Sequence, residues 1–215
     1  MKKIIALLLF CYPALAIAHT VNYVLEQSPP QDVIWYYLQL GYKHILPDGL
    51  DHILFVVALC LLSDRLKTII WQATAFTVAH SITLALSMKN IIVAPSNIVE
   101  PIIALSIAFV AIENILWTEL KIWRVLIVFA FGLIHGMGFA SSLNEIGLPR
   151  NAFFTSIISF NVGVELGQIS IILLVFGVVI FPFRQKTWYR KLLVQPASAL
   201  IALIAFYWTV ERLWS

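Results

Sequence analysis

Charged residues are scarce in this 215-residue sequence, because lysine, arginine, aspartate and glutamate together make up only 12% of it. A soluble domain carries about 25% charged residues, so the composition excludes an ordinary soluble protein. Hydrophobic residues make up 61% and the mean hydropathy is +0.92, which predicts a chain solvated largely by lipid. The formal net charge of +3 is too small to indicate a nucleic-acid partner.

Sulfur-containing residues are also few. The two cysteines, Cys11 and Cys60, cannot build a disulfide framework or a cysteine-based metal cage. Three methionines are too few for the methionine-rich route expected of cuprous ion. The phosphate-binding pattern G-x-x-x-x-G-K-[ST] is absent from the sequence, so any use of ATP would need a partner protein.

The first residues, 1–18, have the pattern of a cleaved signal peptide. Lys2-Lys3 precedes an apolar stretch that runs to Leu15, and Ala16-Ile17-Ala18 then supplies small residues at the positions that define cleavage. We therefore expect the mature chain, 19–215, to form a single transmembrane helical domain. An uncleaved first span is the alternative interpretation.

Apolar segments predict an all-α membrane protein, a polytopic bundle of about six transmembrane helices of roughly 20 residues each. The first of them is interrupted, because Pro47-Asp48-Gly49 separates Trp35–Leu46 from the short apolar stretch Leu50–Leu62. This pair is either one broken helix or an interfacial helix that leads into a span. The later spans are predicted at 68–88, 98–117, 123–143, 152–181 and 193–213. The fourth of these is long enough to predict a tilt or a kink.

Basic residues are distributed unevenly between the alternate loops, which predicts the orientation. With the mature N-terminus outside, the inner loops hold Arg65, Lys67, Lys121, Arg124, Arg184, Lys186, Arg190 and Lys191. The outer segments hold Lys43, Lys89, Arg150 and Arg212, half as many. The pattern places both termini in the periplasm and the chain in a cell inner membrane, in agreement with the signal peptide.

Ionisable side chains lie inside or beside the predicted spans, where lipid should exclude them. Each costs a few kcal/mol in the bilayer, so it normally faces the bundle interior and has a partner there. At about 1.5 Å of rise per residue, several fall at one level in the outer half of the bundle, although structural hydrogen bonds between helices are the alternative. The candidate metal ligands are His44, Asp48, Asp51, His52, His80, His135 and Glu165, with His19 and Glu100 as additional candidates.

Imidazole and carboxylate donors without thiolate or thioether favour borderline divalent ions such as nickel, cobalt or zinc. His19 would be the first mature residue, where the terminal amine and the imidazole together form a chelating pair. Glycines flank His135 and Glu165 in the segments 132–138 and 163–167. They predict either close approach of neighbouring helices to the site or ordinary packing of small residues.

Three further polar residues lie in or near the spans. Asn161 and Gln168 are close in sequence to Glu165 and are candidate hydrogen-bond partners of the site. Glu113 lies near the inner end of its span, where it is expected either to reach the interface or to pair with Arg124 across the loop.

These residues occur in segments that resemble the HupE/UreJ family of membrane proteins. The segments are Gly41-x-x-His44, Asp48–Phe55, Phe76–Thr83, Phe131–Phe139 and Phe160–Glu165, and the resemblance runs from about residue 19 to the C-terminus. It implies a nickel or cobalt permease associated with hydrogenase or urease maturation, in which the first-span His/Asp motif and the later His-Gly motif recognise the metal.

At two residues near His135 the chain resembles a divergent second branch of that family. Phe131 and Gly138 stand where the better-known nickel branch has a second histidine and a glutamate. We hypothesise that Glu165 replaces the missing carboxylate.

Two classes of function fit the sequence. The first is a divalent-metal permease, or a metal-binding accessory protein or sensor, whose partners are the metal ion, the lipid bilayer and metalloenzyme maturation proteins. The second is an intramembrane zinc-dependent hydrolase, in which bound zinc activates water. Ser81 and Ser141-Ser142 are the polar residues nearest the histidine motifs, but no residue is predicted to be catalytic.

Overall fold

Helices account for 82% of the computed structural model, which describes residues 21–121 and 123–214 and shows no strand among them. The predicted signal peptide, 1–18, and His19 lie outside the described residues. The helices are α1 (Tyr23–Glu26), α2 (Pro30–Ile45), α3 (Leu50–Leu61), α4 (Leu66–Met88), α5 (Ser96–Leu116), α6 (Arg124–Ile146), α7 (Phe153–Val175), α8 (Phe181–Phe183) and α9 (Gln195–Trp214).

Five helical segments of the described chain are long and apolar enough to cross a membrane, and α2 with α3 makes a sixth when the bent pair is counted as one span. They are Leu66–Met88, Ser96–Leu116, Arg124–Ile146, Arg150–Phe183 and Arg190–Trp214. The fourth is 34 residues long, because α7 continues through a π-helical turn at Phe176–Ile180 into α8. The prediction of an all-α polytopic membrane protein is confirmed.

The predicted interruption of the first span is present as a bend of 68° between α2 and α3. Leu46 is extended, with φ −128° and ψ 117°, because the ring of the following Pro47 disfavours a helical conformation there. At Gly49 a Cβ would overlap the carbonyl oxygen of His44, so the tight connection requires glycine. The bend places the end of α2 beside the start of α3.

Glycines allow two pairs of helices to approach closely. On α6, a Cβ at Gly136 would overlap the carbonyl oxygen of His80 on α4. On α7, a Cβ at Gly163 would overlap the carbonyl oxygen of Leu38 on α2. Small residues let helix backbones pack at short range in membranes, so these glycines hold α4 and α6, and α2 and α7, in direct contact.

A buried ion pair joins helices near the end of α5 and the start of α6. Arg124 Nη1 lies 3.1 Å from Glu113 Oε2, and the two side chains are 1% and 2% exposed. Both terminal nitrogens of Arg124 also donate to Asn114 Oδ1, and Asn114 Nδ2 donates to the carbonyl oxygen of Ala58 on α3 at 2.8 Å. The predicted pairing of Glu113 with Arg124 is confirmed, and it ties three helices together.

Candidate metal site

Four histidines from four different helices meet inside the bundle. His44 lies in the last turn of α2, His52 lies in the first turn of α3, and His80 and His135 lie within α4 and α6. Each of the first three can offer one ring nitrogen so that these nitrogens lie within 4.8 Å of one another. The ring centroid of His135 lies 5.2 Å from that of His52. We call these four residues the His cluster.

Asn161 on α7 orients the ring of His80. The Nδ1 and Oδ1 atoms of the two side chains are 3.1 Å apart, while Asn161 Nδ2 donates to the carbonyl oxygen of Ile157 at 2.8 Å. Because the amide nitrogen is used within α7, the amide oxygen faces His80 and accepts from Nδ1–H. The tautomer inferred in this way leaves the Nε2 lone pair of His80 available as a ligand.

Ser106 on α5 orients the ring of His135 by the same logic. Its hydroxyl donates to the carbonyl oxygen of Ile103 at 2.7 Å, so its oxygen accepts from His135 Nε2–H at 3.0 Å. The Nδ1 lone pair of His135 is then the one available to a ligand. Sequence reasoning missed Ser106, because one serine in an apolar span has no pattern that separates it from a structural serine.

One ring nitrogen of each histidine in the cluster is buried and has no hydrogen-bond partner among the described residues. These atoms are Nε2 of His44, His52 and His80, and Nδ1 of His135. Buried polar atoms are almost always paired, because an unpaired one loses its hydration without compensation. Four unpaired nitrogens in one place therefore indicate a binding site, and His80 and His135 offer it lone pairs.

Aromatic side chains surround the His cluster. The ring centroid of Phe139 lies 3.8 Å from that of His44, and Phe76 lies 4.9 Å from His135. Phe55 contacts His135 from another side at 5.4 Å. This apolar wall lowers the local dielectric, which strengthens any electrostatic interaction made within it.

A cleft of about 400 Å³ leads to the His cluster from the end of the bundle where α3 and α5 begin and α9 ends. Three of the four histidines line it: His44, His52 and His135. Three predicted carboxylates, Asp48, Asp51 and Glu100, line the same cleft. Within the described chain these carboxylates are not part of the close group formed by His44, His52 and His80. They line the cleft that leads to that group.

Glu165 is not brought into the His cluster. Its two carboxylate oxygens accept hydrogen bonds from the hydroxyls of Thr74 and Thr77 at 2.5 Å each, in a groove between α4 and α7. Asn161, one turn earlier on α7, occupies the position that faces His80. The predicted agreement in depth carries no information about direction around the helix, so the idea that Glu165 supplies a carboxylate to this cluster gains no support.

Two of the three serines considered for the hydrolase alternative, Ser81 and Ser141, bond to their own helices. The Ser81 hydroxyl donates to the carbonyl oxygen of Thr77 at 2.7 Å, and the Ser141 hydroxyl donates to that of Gly138 at 3.4 Å. Ser81 also lines the groove that contains Glu165 and not the cleft of the His cluster. These two residues therefore give that alternative no support.

Comparison with known proteins bears on the same residues. A family model described as HupE / UreJ protein matches residues 14–212, nearly the whole chain. Searches of curated proteins and of solved structures gave no match. The family implies a role in nickel or cobalt transport or as an accessory protein, and the His cluster agrees with metal handling. The sequence motifs, the helical fold and this nearly complete match lead to one assignment: the chain belongs to the HupE / UreJ family.

Proposed function

We propose that this protein binds a divalent transition-metal ion at the His cluster and carries it across the membrane, with nickel, cobalt or zinc as the substrate. The observation that supports the proposal best is the set of four buried, unpaired ring nitrogens from four helices. Neutral imidazole is a preferred ligand of these three ions. Ring nitrogens of His44, His52 and His80 already lie within 4.8 Å of one another, so adjustments of the rings can bring them to metal–nitrogen bonds of about 2.0–2.1 Å.

The carboxylates of the cleft serve the approach of the ion. Asp48, Asp51 and Glu100 line the route from the bundle end to the histidines, and a cleft with an excess of negative charge concentrates cations. We therefore assign ligation to the His cluster and capture to these three acidic residues. His19 stays a prediction from the sequence.

We further propose that the cleft opens to the periplasm and that the protein lies in the inner membrane with both termini periplasmic. The excess of lysine and arginine in the opposite loops supports this orientation. In the same proposal residues 1–18 are removed as a signal peptide, and 19–215 form one transmembrane domain. Metalloenzyme maturation proteins would then receive the ion on the inner side.

Purified protein in proteoliposomes tests the proposal. A permease should bind cobalt or nickel reversibly and accumulate it inside the vesicles over time, measured with a metal-sensitive dye in the lumen. An accessory protein should bind the ion without flux, whereas an enzyme should retain about one metal ion per chain through purification. The metal proposal is wrong if nickel, cobalt and zinc all fail to bind.

The hydrogen bond from His80 to Asn161 gives a further prediction. Replacing Asn161 with leucine should weaken cobalt binding about 10–100-fold, because partners that orient a metal ligand contribute affinity of that size. Asn161→Asp keeps an oxygen acceptor for His80 Nδ1–H and should bind more tightly than Asn161→Leu. Isothermal titration in detergent measures both.

The matched control for that substitution is Asn151→Leu. Asn151 donates to the carbonyl oxygen of Glu26 on the exposed surface and does not line the cleft of the His cluster, so its loss should leave cobalt affinity unchanged. Equal affinities for Asn161→Leu and the unmodified protein would contradict an orienting role for Asn161.

A further inference from the structure

An arginine from the last helix lies across the mouth of the cleft. Nη2 of Arg212 donates to both carboxylate oxygens of Asp51, at 3.0 and 2.9 Å. Nη1 of the same side chain donates to the main-chain carbonyl oxygen of Glu100 at 3.3 Å. The guanidinium therefore joins α9 to α3 and α5, and it lines the same cleft as His52, the next residue after Asp51.

Acidic residues outnumber basic ones at the mouth of the cleft. Asp48, Asp51 and Glu100 are acidic, and Arg212 is the one lysine or arginine among the described residues that line the cleft. A metal ion that approaches His52 through this cleft thus meets the carboxylate of Asp51, which is already paired with the guanidinium of Arg212.

The geometry of the ion pair favours exchange. Nη2 of Arg212 contacts both oxygens of Asp51, an arrangement that differs from the two parallel bonds of the strongest arginine–carboxylate pairs. The side chains are 22% and 24% exposed, and partly exposed pairs contribute little stability. A divalent ion at the same distance attracts the carboxylate twice as strongly as one unit charge does.

Arg212 also has a second contact available at the mouth. Its guanidinium lies 5.6 Å from the ring centroid of Trp208, one turn earlier on α9, and Trp208 lines the cleft as well. Cation–π contact of this kind stabilises a guanidinium at an exposed site. The side chain can thus stay at the mouth after it leaves Asp51.

We propose that Arg212 is a built-in competing cation. A divalent metal ion must displace its guanidinium from Asp51 in order to pass from the mouth to the His cluster. Arg212 thereby lowers the affinity for every cation and excludes those, such as magnesium, that interact with the site through carboxylates alone. This inference rests on the proposed function and adds a residue that determines selectivity.

Neutralising Arg212 tests the inference. The Arg212→Gln variant should bind cobalt about tenfold more tightly than the unmodified protein, a change of about 1.4 kcal/mol, by isothermal titration in detergent. Millimolar magnesium should weaken cobalt binding to this variant and not to the unmodified protein, because the freed carboxylates suit magnesium. Arg212→Lys keeps the charge and should remain close to the unmodified protein.

The matched control is Arg184→Gln, the same substitution outside the cleft, where the arginine donates to the carbonyl oxygen of Asp64. Arg212→Met keeps the apolar stem and is a second neutral variant in case the glutamine variant does not fold. If the unmodified protein binds cobalt and neither neutral variant binds it more tightly, the competing-cation role is overturned and the proposed function stands. If the unmodified protein binds no metal, both are overturned.

Discussion

Cobalt binding should weaken by about 100-fold or more when His80 is replaced by alanine, and metal flux into proteoliposomes should fall to background. We expect a loss of this size because His80 is itself a proposed ligand. Removing a residue that merely orients a metal ligand already lowers metal affinity about 10–100-fold. His80 is fully buried, its Nε2 has no partner among the described residues, and it belongs to the close group with His44 and His52.

Two comparisons make the His80 result specific. Ser81→Ala changes the next residue of α4, whose hydroxyl bonds to its own helix, and should leave metal binding unchanged. His135→Ala should also weaken binding, because its Nδ1 is the fourth unpaired nitrogen of the cluster. Unchanged binding and flux in both His80→Ala and His135→Ala would reject the His cluster as the metal site.

A single added methyl group at Gly136 should disrupt the site without touching a histidine side chain. In Gly136→Ala the new Cβ would overlap the carbonyl oxygen of His80 and the hydroxyl of Thr83. The carbonyl oxygen belongs to the backbone of α4, so the two helices must separate. Overpacking of this kind costs about 1–3 kcal/mol, and the displacement carries His80 away from the other ligands. We expect both a lower midpoint of thermal unfolding and weaker cobalt binding.

Gly177→Ala is the matched control, because a Cβ at Gly177 has no neighbouring atom within 4 Å. Alanine is normally favoured over glycine inside a helix by about 0.5–1 kcal/mol, so this variant should be as stable as the unmodified protein or slightly more stable. The same substitution should therefore lower the stability at Gly136 and leave it unchanged or slightly raise it at Gly177. Equal stability and equal metal binding for both variants would show that α4 and α6 do not depend on the close contact at Gly136.

Local sequence patterns predicted most of the fold. Span positions follow from apolar length alone, and the bend between α2 and α3 follows from Pro47 and Gly49, whose backbone restrictions act within a few residues. The four histidines could be selected as candidates because an ionisable side chain is costly in lipid and therefore usually has a function there. These arguments require no knowledge of which helices are neighbours.

The remaining features of the site depend on how each helix is rotated about its axis and on which helices are neighbours. The spacing of residues in the sequence specifies neither. Glu165 shares its helix with Asn161, yet Asn161 bonds to His80 while Glu165 bonds to Thr74 and Thr77. Likewise, Arg212 reaches Asp51 across 161 positions of the chain. A basic residue close to the end of a last span looks like an ordinary interfacial anchor, so its position over the cleft could only come from the structure.

The His cluster takes each of its members from a different helix, and this makes a bound ion a cross-link of the whole bundle. A ligand that binds only the assembled arrangement stabilises it in proportion to occupancy. The loaded protein should therefore be stiffer and more heat-resistant than the empty one. In the proposed function, release of the ion should therefore be accompanied by looser contacts among α2, α3, α4 and α6.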